Sequence, residues 1–186
     1  MSILIGLSPF VTFFVLMRLA SPIAGLVGAF AVSTLLGLRM WWRGESVKIL
    51  EVGSLILFGL LIGYTLAAAV SWTVATVRLA VDGGLLAIAL VSLAIDRPFT
   101  LQYARERVPE QYWGLPIFLT TNRIITGVWA ATFAIHVAAD AAAEYVSTIP
   151  IWVDVVVSIV AFVGAVVFTR LYPEAVQRRA LANAAS

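Results

Sequence analysis

The segment DRPFTLQYARERVPEQYW, residues 96–113, is the only long polar stretch that lies between hydrophobic runs of this chain. It contains three arginines and three acidic residues. The pair Asn122-Arg123 follows it inside the next apolar run. Polar segments mark the places where a chain leaves the lipid. This stretch therefore separates the apolar runs before it from those after it, and we interpret the rest of the chain as a scaffold for it.

The composition is that of an integral membrane protein. Of 186 residues, 62% are hydrophobic, and the mean hydropathy is +1.02, whereas soluble domains are roughly half apolar. The apolar runs reach the length of about 20 residues that a helix needs to cross a bilayer, and they lack the alternating pattern of membrane β-strands. The composition therefore predicts an all-α fold, a polytopic transmembrane helical bundle that forms one integral-membrane domain over residues 1–186.

Six spans are predicted from the apolar runs. They cover residues 3–20, 23–38, 49–70, 71–95, 117–139 and 149–172. The first run is expected to be a span rather than a signal peptide, because it lacks a basic start and leads straight into Arg18 and the turn at Ser21-Pro22. A break is expected near Ser71-Trp72, because residues 49–95 would extend about 70 Å as one helix.

Basic residues are concentrated in the segments that six spans put on one side of the membrane. That side holds Arg39, Arg43, Lys48, Arg97, Arg105, Arg107, Arg170, Arg178 and Arg179. The other side holds Arg18 together with the acidic Asp140 and Glu144. The positive-inside rule therefore predicts that both termini are cytoplasmic, as are the loop of residues 96–116 and the tail of residues 173–186.

Arg78 and Asp82 of the fourth span are the charged residues expected deepest in the bilayer. Their spacing of four residues puts them on one helix face, and the following Gly83-Gly84 permits close approach of another helix. A charge inside a span costs roughly 2.5–3.5 kcal/mol, so the pair requires an explanation. Two remain open: a mutually neutralising structural pair, or a polar centre in which Asp82 accepts a proton or cation and Arg78 binds an anion.

Arg123 in span five and Glu51 in span three are charged residues expected at similar depths. Both are expected nearer the membrane surface than Asp82. One interpretation is a salt bridge between them. In the other, Arg123 and its neighbour Asn122 lie close to the 96–113 segment, where Arg123 completes an anion site with the arginines of that segment. Clustered guanidinium groups suit the geometry of phosphate and carboxylate ligands.

The 96–113 segment is predicted to contain a short amphipathic helix over residues 100–107, ended by Pro109. One side of this helix is available to lipid or protein, and the other side faces water. The candidate loop surface consists of Asp96, Arg97, Gln102, Tyr103, Arg105, Glu106 and Arg107. It is either an interfacial connector whose cations meet anionic lipid heads, or a lid or partner-binding surface over a cavity between spans four and five.

No metal site and no cofactor are predicted. The one candidate metal set is His136, the only histidine, with Asp140 four residues later and Asp154 in span six; two carboxylates and an imidazole can bind a divalent metal or carry out acid–base chemistry. The sequence has no cysteine, P-loop or GxGxxG spacing. Its only lysine, Lys48, lies at the end of a span, which is unsuited to a retinal Schiff base.

Four short motifs are spread along most of the chain: SPFVTFF at residues 8–14, MWWR at 40–43, RPF at 97–99 and WAATF at 129–133. Together they resemble the bacterial intracellular septation protein A family, small inner-membrane proteins linked to the cell envelope and division. The resemblance implies a bacterial inner-membrane location and an envelope-associated setting. It carries over no catalytic residues.

Three functional hypotheses follow. The first is a non-enzymatic, envelope-associated scaffold that uses the 96–113 segment as its contact surface. The second is a small transporter or channel, as an oligomer, with Arg78 and Asp82 as its substrate or proton site. The third is a membrane-embedded enzyme for a lipid or isoprenoid-like substrate, with the carboxylates of Glu51, Asp82 and Asp154 in an apolar cavity.

The partners expected from the sequence are membrane lipid and either a second copy of the chain or another membrane protein. Nucleic acid is not expected, because the formal net charge is only +2 and the positions of the basic residues are explained by membrane topology.

Overall fold

The computed structural model describes residues 3–146 and 151–184, and every secondary-structure element in these ranges is helical. The α-helices are α1 (Ile3–Gly6), α2 (Ser8–Leu19), α3 (Pro22–Arg43), α4 (Ile49–Ala68), α5 (Val74–Ala94), α6 (Phe99–Arg105), α7 (Pro116–Tyr145) and α8 (Ile151–Ala184). Within the described ranges, five helices are long and apolar enough to cross a membrane, namely α3, α4, α5, α7 and α8. The all-α, membrane-type fold is therefore confirmed. The chain divides into two compact units, Met1–Ile88 and Ala89–Ser186.

The first predicted span, residues 3–20, is present as two helices, α1 and α2, which meet at Leu7. Pro9 starts α2 because its fixed φ suits the first helical turn, and the Ser8 hydroxyl donates to the Ile5 carbonyl oxygen at 2.7 Å. α2 alone has 12 residues and a length of about 18 Å, less than the roughly 30 Å of a bilayer core. The described residues thus contain five membrane-length helices, where the sequence predicts six spans. The predicted start of the last span, residue 149, lies outside the described ranges.

In the first unit, α2 packs closely on α3 through two glycines. A Cβ atom at Gly25 would lie 2.9 Å from the Phe13 carbonyl oxygen, and one at Gly28 would lie 2.2 Å from Leu16 Cδ1. The turn before α3 is the one expected at Ser21-Pro22, where the Ser21 hydroxyl caps the helix. Small residues at helix contacts are typical of membrane proteins, because close packing replaces the hydrophobic effect as the force between helices.

α4 and α5 meet at two glycines, in an antiparallel register. A Cβ atom at Gly53 would lie 2.8 Å from Ile88 Cδ1, and one at Gly84 would lie 2.3 Å from Leu57 Cδ1. Advancing four residues along α4 therefore corresponds to going back four residues along α5. This register relates the depths of residues in the two helices.

The expected break between spans three and four is present, since α4 ends at Ala68 and α5 begins at Val74. Thr73 and Thr76 each accept the backbone N–H of the other through their hydroxyl oxygens, both at 3.1 Å. This reciprocal arrangement is a capping box, which satisfies backbone donors at the start of a helix.

In the second unit, α7 and α8 form an antiparallel pair around Trp129. The indole N–H of this fully buried residue donates to Thr169 Oγ1 at 3.0 Å. Further along α7, His136 Nε2 lies 3.1 Å from the Ser158 carbonyl oxygen. Residues later in α7 thus contact residues earlier in α8. α8 continues as a helix beyond Tyr172, where the sequence predicts the end of the last span.

Candidate functional site

The polar segment 96–113 is folded against the beginning of α7. Its helix α6 covers Phe99–Arg105, overlapping the helix predicted over residues 100–107, and packs on α7. Phe99 and Leu101 of α6 are buried. A 3-10 turn over Glu110–Tyr112 then follows Pro109 and leads towards α7.

A buried hydrogen-bond network fixes α6 to α7. The Thr100 hydroxyl donates to the Asn122 carbonyl oxygen at 3.0 Å and lies 2.8 Å from Thr126 Oγ1. The Asn122 side-chain amide in turn donates to the Phe118 carbonyl oxygen at 2.9 Å. Buried polar groups require partners, and those in a membrane protein have little water to replace a lost one. The network therefore holds α6 in one position, and Asn122 has a structural place in it.

The two ends of the segment are fastened as well. The Phe99 backbone N–H donates to the hydroxyl of Ser92, in the last turns of α5, at 3.2 Å. At the other end, the Trp113 indole N–H donates to the Val108 carbonyl oxygen at 2.7 Å. The guanidinium carbon of Arg105 lies 5.2 Å from the centroid of the Trp113 ring, which is a cation–π contact.

The charged side chains of the segment lie on its exposed face. They are Asp96, Arg97, Arg105, Glu106, Arg107 and Glu110. Gln102 is half-buried between the two faces. Tyr103, which the sequence analysis included in the loop surface, is instead buried with 5% exposed. It follows Phe99 by four residues and so shares the inner face of α6.

Arg123 forms an ion pair with Asp96. Arg123 thus contacts the 96–113 segment, as the anion-site interpretation expected. Its partner there is the acidic Asp96, however, and not a set of arginines that could bind an anion. The Arg123 and Asp96 side chains are 51% and 66% exposed, and exposed ion pairs contribute little stability. Glu51, the other partner considered for Arg123, is a buried residue of the first unit.

Four charged residues are buried in the first unit: Lys48, Glu51, Arg78 and Asp82. None of them is without an interaction partner. Arg78 and Asp82 both lie on the buried side of α5, as their spacing of four residues predicts, and Arg78 Cζ lies 5.8 Å from the centroid of the Phe14 ring. With two basic and two acidic members the set has no net charge, which favours the burial of ions.

These four residues lie at two levels of the first unit. The α4–α5 register puts Asp82 about eight residues, or roughly 12 Å, further along the helix axes than Glu51. Lys48 and Glu51 lie at the start of α4, whereas Asp82 lies near the middle of α5 with 1% of its surface exposed.

Lys48 is a buried charged residue whose burial is not predicted from the sequence. Its side chain is fully buried, with 0% exposed, although the sequence places it at the end of a span. Lys48 is the N-cap residue of α4, with an extended backbone, so helical spacing from Glu51 does not predict its burial.

His136, Asp140 and Asp154 are buried in the second unit, on α7 and α8. Because a backbone carbonyl oxygen can only accept, the 3.1 Å contact with Ser158 requires that His136 Nε2 carries a proton. In the part of the chain that the structure describes, no group of three or more His, Cys, Asp or Glu residues could hold a metal ion. The three residues are therefore close in register but are not arranged as a metal centre.

Comparisons of this chain with protein-family models, with curated proteins and with solved structures each gave no match.

Proposed function

We propose that this chain is a multi-span scaffold of the bacterial inner membrane, similar to the septation protein A family, and that its 96–113 segment binds another membrane protein. The observation that supports this function is the construction of the segment. One face is fixed to α7 through the Thr100 hydrogen bonds, and the other face presents charged side chains. A linker that only joins two helices does not require such a network, whereas a preorganised surface loses less conformational entropy when it binds.

The charge of the exposed face favours a protein over lipid as the ligand. The segment has three arginines and three acidic residues, so it lacks the excess of basic residues that attracts anionic lipid headgroups. A surface of mixed sign can instead match a partner with complementary charges, and such matching selects one partner among many.

In the proposed orientation the 96–113 segment is cytoplasmic. The α7–α8 register puts Arg178 and Arg179 near the start of α7, at the same end of the second unit as the segment, while Asp140 and Asp154 lie at the far end. Under the positive-inside rule the basic end remains in the cytoplasm. If α1 and α2 cross the membrane together, the chain has six spans and both termini are also cytoplasmic.

Site-specific photocrosslinking in cells tests the partner. A photoreactive amino acid is placed at Arg107 or Gln111, both exposed on the segment, and at Val160, an exposed apolar residue of α8, as the control. We expect a discrete adduct with a membrane protein from the first two positions and none from Val160. The adduct formed from Gln111 should disappear when Arg105→Glu reverses the charge at one position of the surface, and it should persist with Arg178→Glu.

Two outcomes of this crosslinking would reject the scaffold function. One is that Arg107 and Gln111 form adducts only with phospholipid, which would leave the segment as an interfacial connector. The other is that the Gln111 adduct is unchanged by Arg105→Glu, because a charged contact surface must respond to a reversed charge.

A second function, transport of a proton or ion by an oligomer, is favoured by the buried Arg78 and Asp82. Intramembrane ionisable residues commonly belong to ion or substrate pathways, and Asp82 lies near the middle of a membrane-length helix. Reconstituted Asp82→Asn protein is expected to fold and to lose flux, whereas Asp96→Asn, which neutralises an exposed acid, should retain it. Normal flux through the Asp82→Asn variant would reject this function.

A further inference from the structure

The C-terminal end of α3 presents two tryptophans and two arginines on the surface of the first unit. Trp41 and Trp42 are 75% and 81% exposed, Arg39 is exposed, and the Arg43 side chain is 60% exposed. Among the residues that the structure describes, Arg39 has no side-chain hydrogen bond or ion pair. The scaffold function makes no use of this end of α3.

The length of α3 puts these residues at the surface of the membrane. Its 22 residues extend about 33 Å, close to the roughly 30 Å of the hydrocarbon core. When Pro22 lies at one surface, Arg43 lies at the other, and Arg39 lies about 6 Å inside it. A guanidinium group at this depth extends towards the headgroups rather than staying in hydrocarbon.

Residues one helical turn apart build a surface with a charged end and an apolar end. Arg39 and Arg43 are four residues apart and so share one side of α3, and Trp42, three residues after Arg39, lies beside them. Leu35 precedes Arg39 by one turn, and Leu38 precedes Trp42 by one turn. These leucines are 65% and 44% exposed. The side of α3 that carries the guanidinium and indole groups thus continues as an apolar surface deeper in the membrane.

The end of α3 is held in a defined conformation. Gly44 has a φ of 62°, and its backbone N–H donates to the Trp41 carbonyl oxygen at 3.2 Å. The Glu45 backbone N–H donates to the Met40 carbonyl oxygen at 3.0 Å. This pattern is a Schellman motif, which satisfies the carbonyl groups at a helix end. It ends α3 directly after Arg43, so both arginines stay on the helix with a fixed spacing.

The charges of this helix end have one sign. From Pro22 to Gly44 the sequence contains no acidic residue. The following Glu45 approaches Arg43 at 3.9 Å, which is too far for a hydrogen bond. A second copy of the chain bound through this side would bring the arginines against the same arginines, because a two-fold interface is self-complementary. An anionic ligand is therefore favoured over a second copy.

A phospholipid with a net negative headgroup matches both ends of this surface. Its phosphate accepts paired hydrogen bonds from guanidinium groups, and indole rings are suited to the level of the headgroups. Its acyl chains are apolar, like the exposed leucines deeper in the membrane. A soluble anion would match only the charged end.

We infer that the side of α3 formed by Leu35, Leu38, Arg39, Trp42 and Arg43 is a binding site for one anionic phospholipid. The phosphate group contacts the two arginines, and the acyl chains lie on the two leucines. The site shares no residue with the 96–113 segment, so failure of the scaffold function would leave the lipid site standing, and the reverse.

Native mass spectrometry of the full-length chain, released from detergent micelles, tests the site with two lipids that share their acyl chains, phosphatidylglycerol and phosphatidylcholine. We expect the wild-type chain to bind the first, anionic lipid more tightly than the second, zwitterionic one. Arg39→Gln with Arg43→Gln should lower the affinity for phosphatidylglycerol by about 25-fold, since each basic residue near an anionic headgroup contributes about fivefold. The matched control, Arg178→Gln with Arg179→Gln, removes the same charge from two exposed arginines of α8 and should leave this affinity unchanged.

Three outcomes would overturn the inference: equal affinities of the wild-type chain for the two lipids, an unchanged affinity in the α3 variant, or an equal loss in the α8 variant. If the α3 variant does not fold, a photoreactive amino acid in place of Trp42 decides, in vesicles with equal amounts of the two lipids. Its adducts should be predominantly with phosphatidylglycerol. At the control position, Leu60 of α4, which is 68% exposed, the adducts should follow the composition of the vesicle. Adducts that follow this composition at both positions, or an adduct with a second chain at position 42, would reject the site.

Discussion

At the scale of single residues, Thr100 has the largest part in fixing the 96–113 segment. Its hydroxyl joins α6 to two positions of α7, the Asn122 carbonyl oxygen and the Thr126 hydroxyl, which lie one helical turn apart. Two contacts on successive turns define both the position and the rotation of the short α6 helix. The exposure of Arg105, the one arginine of α6, depends on this rotation, since the same helix turned by half a turn would bury it.

Replacing Thr100 by valine keeps the shape of the side chain but removes its hydroxyl group. We expect this variant to be destabilised by about 1–3 kcal/mol, because the buried Thr126 hydroxyl loses a hydrogen-bond partner. The matched control is Thr120→Val, which changes an exposed threonine of α7 and should alter stability by no more than about 0.5 kcal/mol. The measurement is the midpoint of unfolding in mixed detergent micelles.

The double variant Thr100→Val with Thr126→Val separates a lost hydrogen bond from a packing defect. It should lose less stability than the sum of the two single variants, since neither hydroxyl is then left facing an apolar group. Equal losses for Thr100→Val and Thr120→Val would mean that the network does not hold α6 in place.

At the scale of elements, only one of two adjacent glycines of α5 lies in the contact between α4 and α5. A Cβ atom at Gly84 would lie 2.3 Å from Leu57 Cδ1, whereas one at Gly83 would meet nothing within 4 Å. Gly84→Ala should therefore destabilise the protein by roughly 1–3 kcal/mol, because Leu57 must leave its position. Gly83→Ala should stabilise it by about 0.5–1 kcal/mol, because alanine is the better helix former.

Thermal unfolding of the two alanine variants in the same lipid checks this contact. The expected result is a lower midpoint for Gly84→Ala and an equal or higher midpoint for Gly83→Ala than for the wild-type chain. If both variants shift the midpoint in the same direction by similar amounts, the close approach of α4 to α5 at Gly84 is contradicted.

The elements whose boundaries could be predicted are those that the local sequence marks. Ser21-Pro22 marks a turn between two apolar runs, the length of the apolar run 49–95 requires the break near Ser71-Trp72, and the amphipathic pattern of residues 100–107, followed by Pro109, marks α6. The break at Leu7 was not predicted, because the run around it is apolar throughout and only Pro9 hints at a new helix start.

The contacts of the candidate site could be predicted only in part, for a physical reason. Residues four apart on one helix share a face whatever the fold, so the common face of Arg78 and Asp82 followed from their spacing, whereas its burial did not. The contact between Thr100 and Thr126 joins two helices, and no local pattern encodes it. The complete burial of Lys48 likewise depends on how α4 packs within the first unit.

At the scale of the whole molecule, the number of spans decides where the termini lie. α3, α4, α5, α7 and α8 are long enough to cross the bilayer singly. α1 and α2 together cover residues 3–19, which is close to the lower limit of about 17 residues for a span. If they cross as one segment the chain has six spans, and the N-terminus lies on the same side as the 96–113 segment.

Single cysteines in this cysteine-free chain test the topology by labelling with a maleimide that does not cross membranes. Gln111→Cys and Ser46→Cys, both exposed between helices, should be labelled only after the cells are opened, and Ser71→Cys should be labelled in intact cells. Ser2→Cys should behave like Gln111→Cys, because six spans return both positions to the cytoplasm.

The pattern of labelling separates the number of spans from the orientation. Labelling of Ser2→Cys in intact cells, with Gln111→Cys still protected, would mean that α1 and α2 do not cross and that the chain has five spans; the charged surface would remain cytoplasmic. Labelling of Gln111→Cys in intact cells, with Ser71→Cys protected, would invert the molecule. The Arg97, Arg105 and Arg107 side chains would then lie outside the cytoplasm, contrary to the positive-inside rule, and no cytoplasmic partner could bind them.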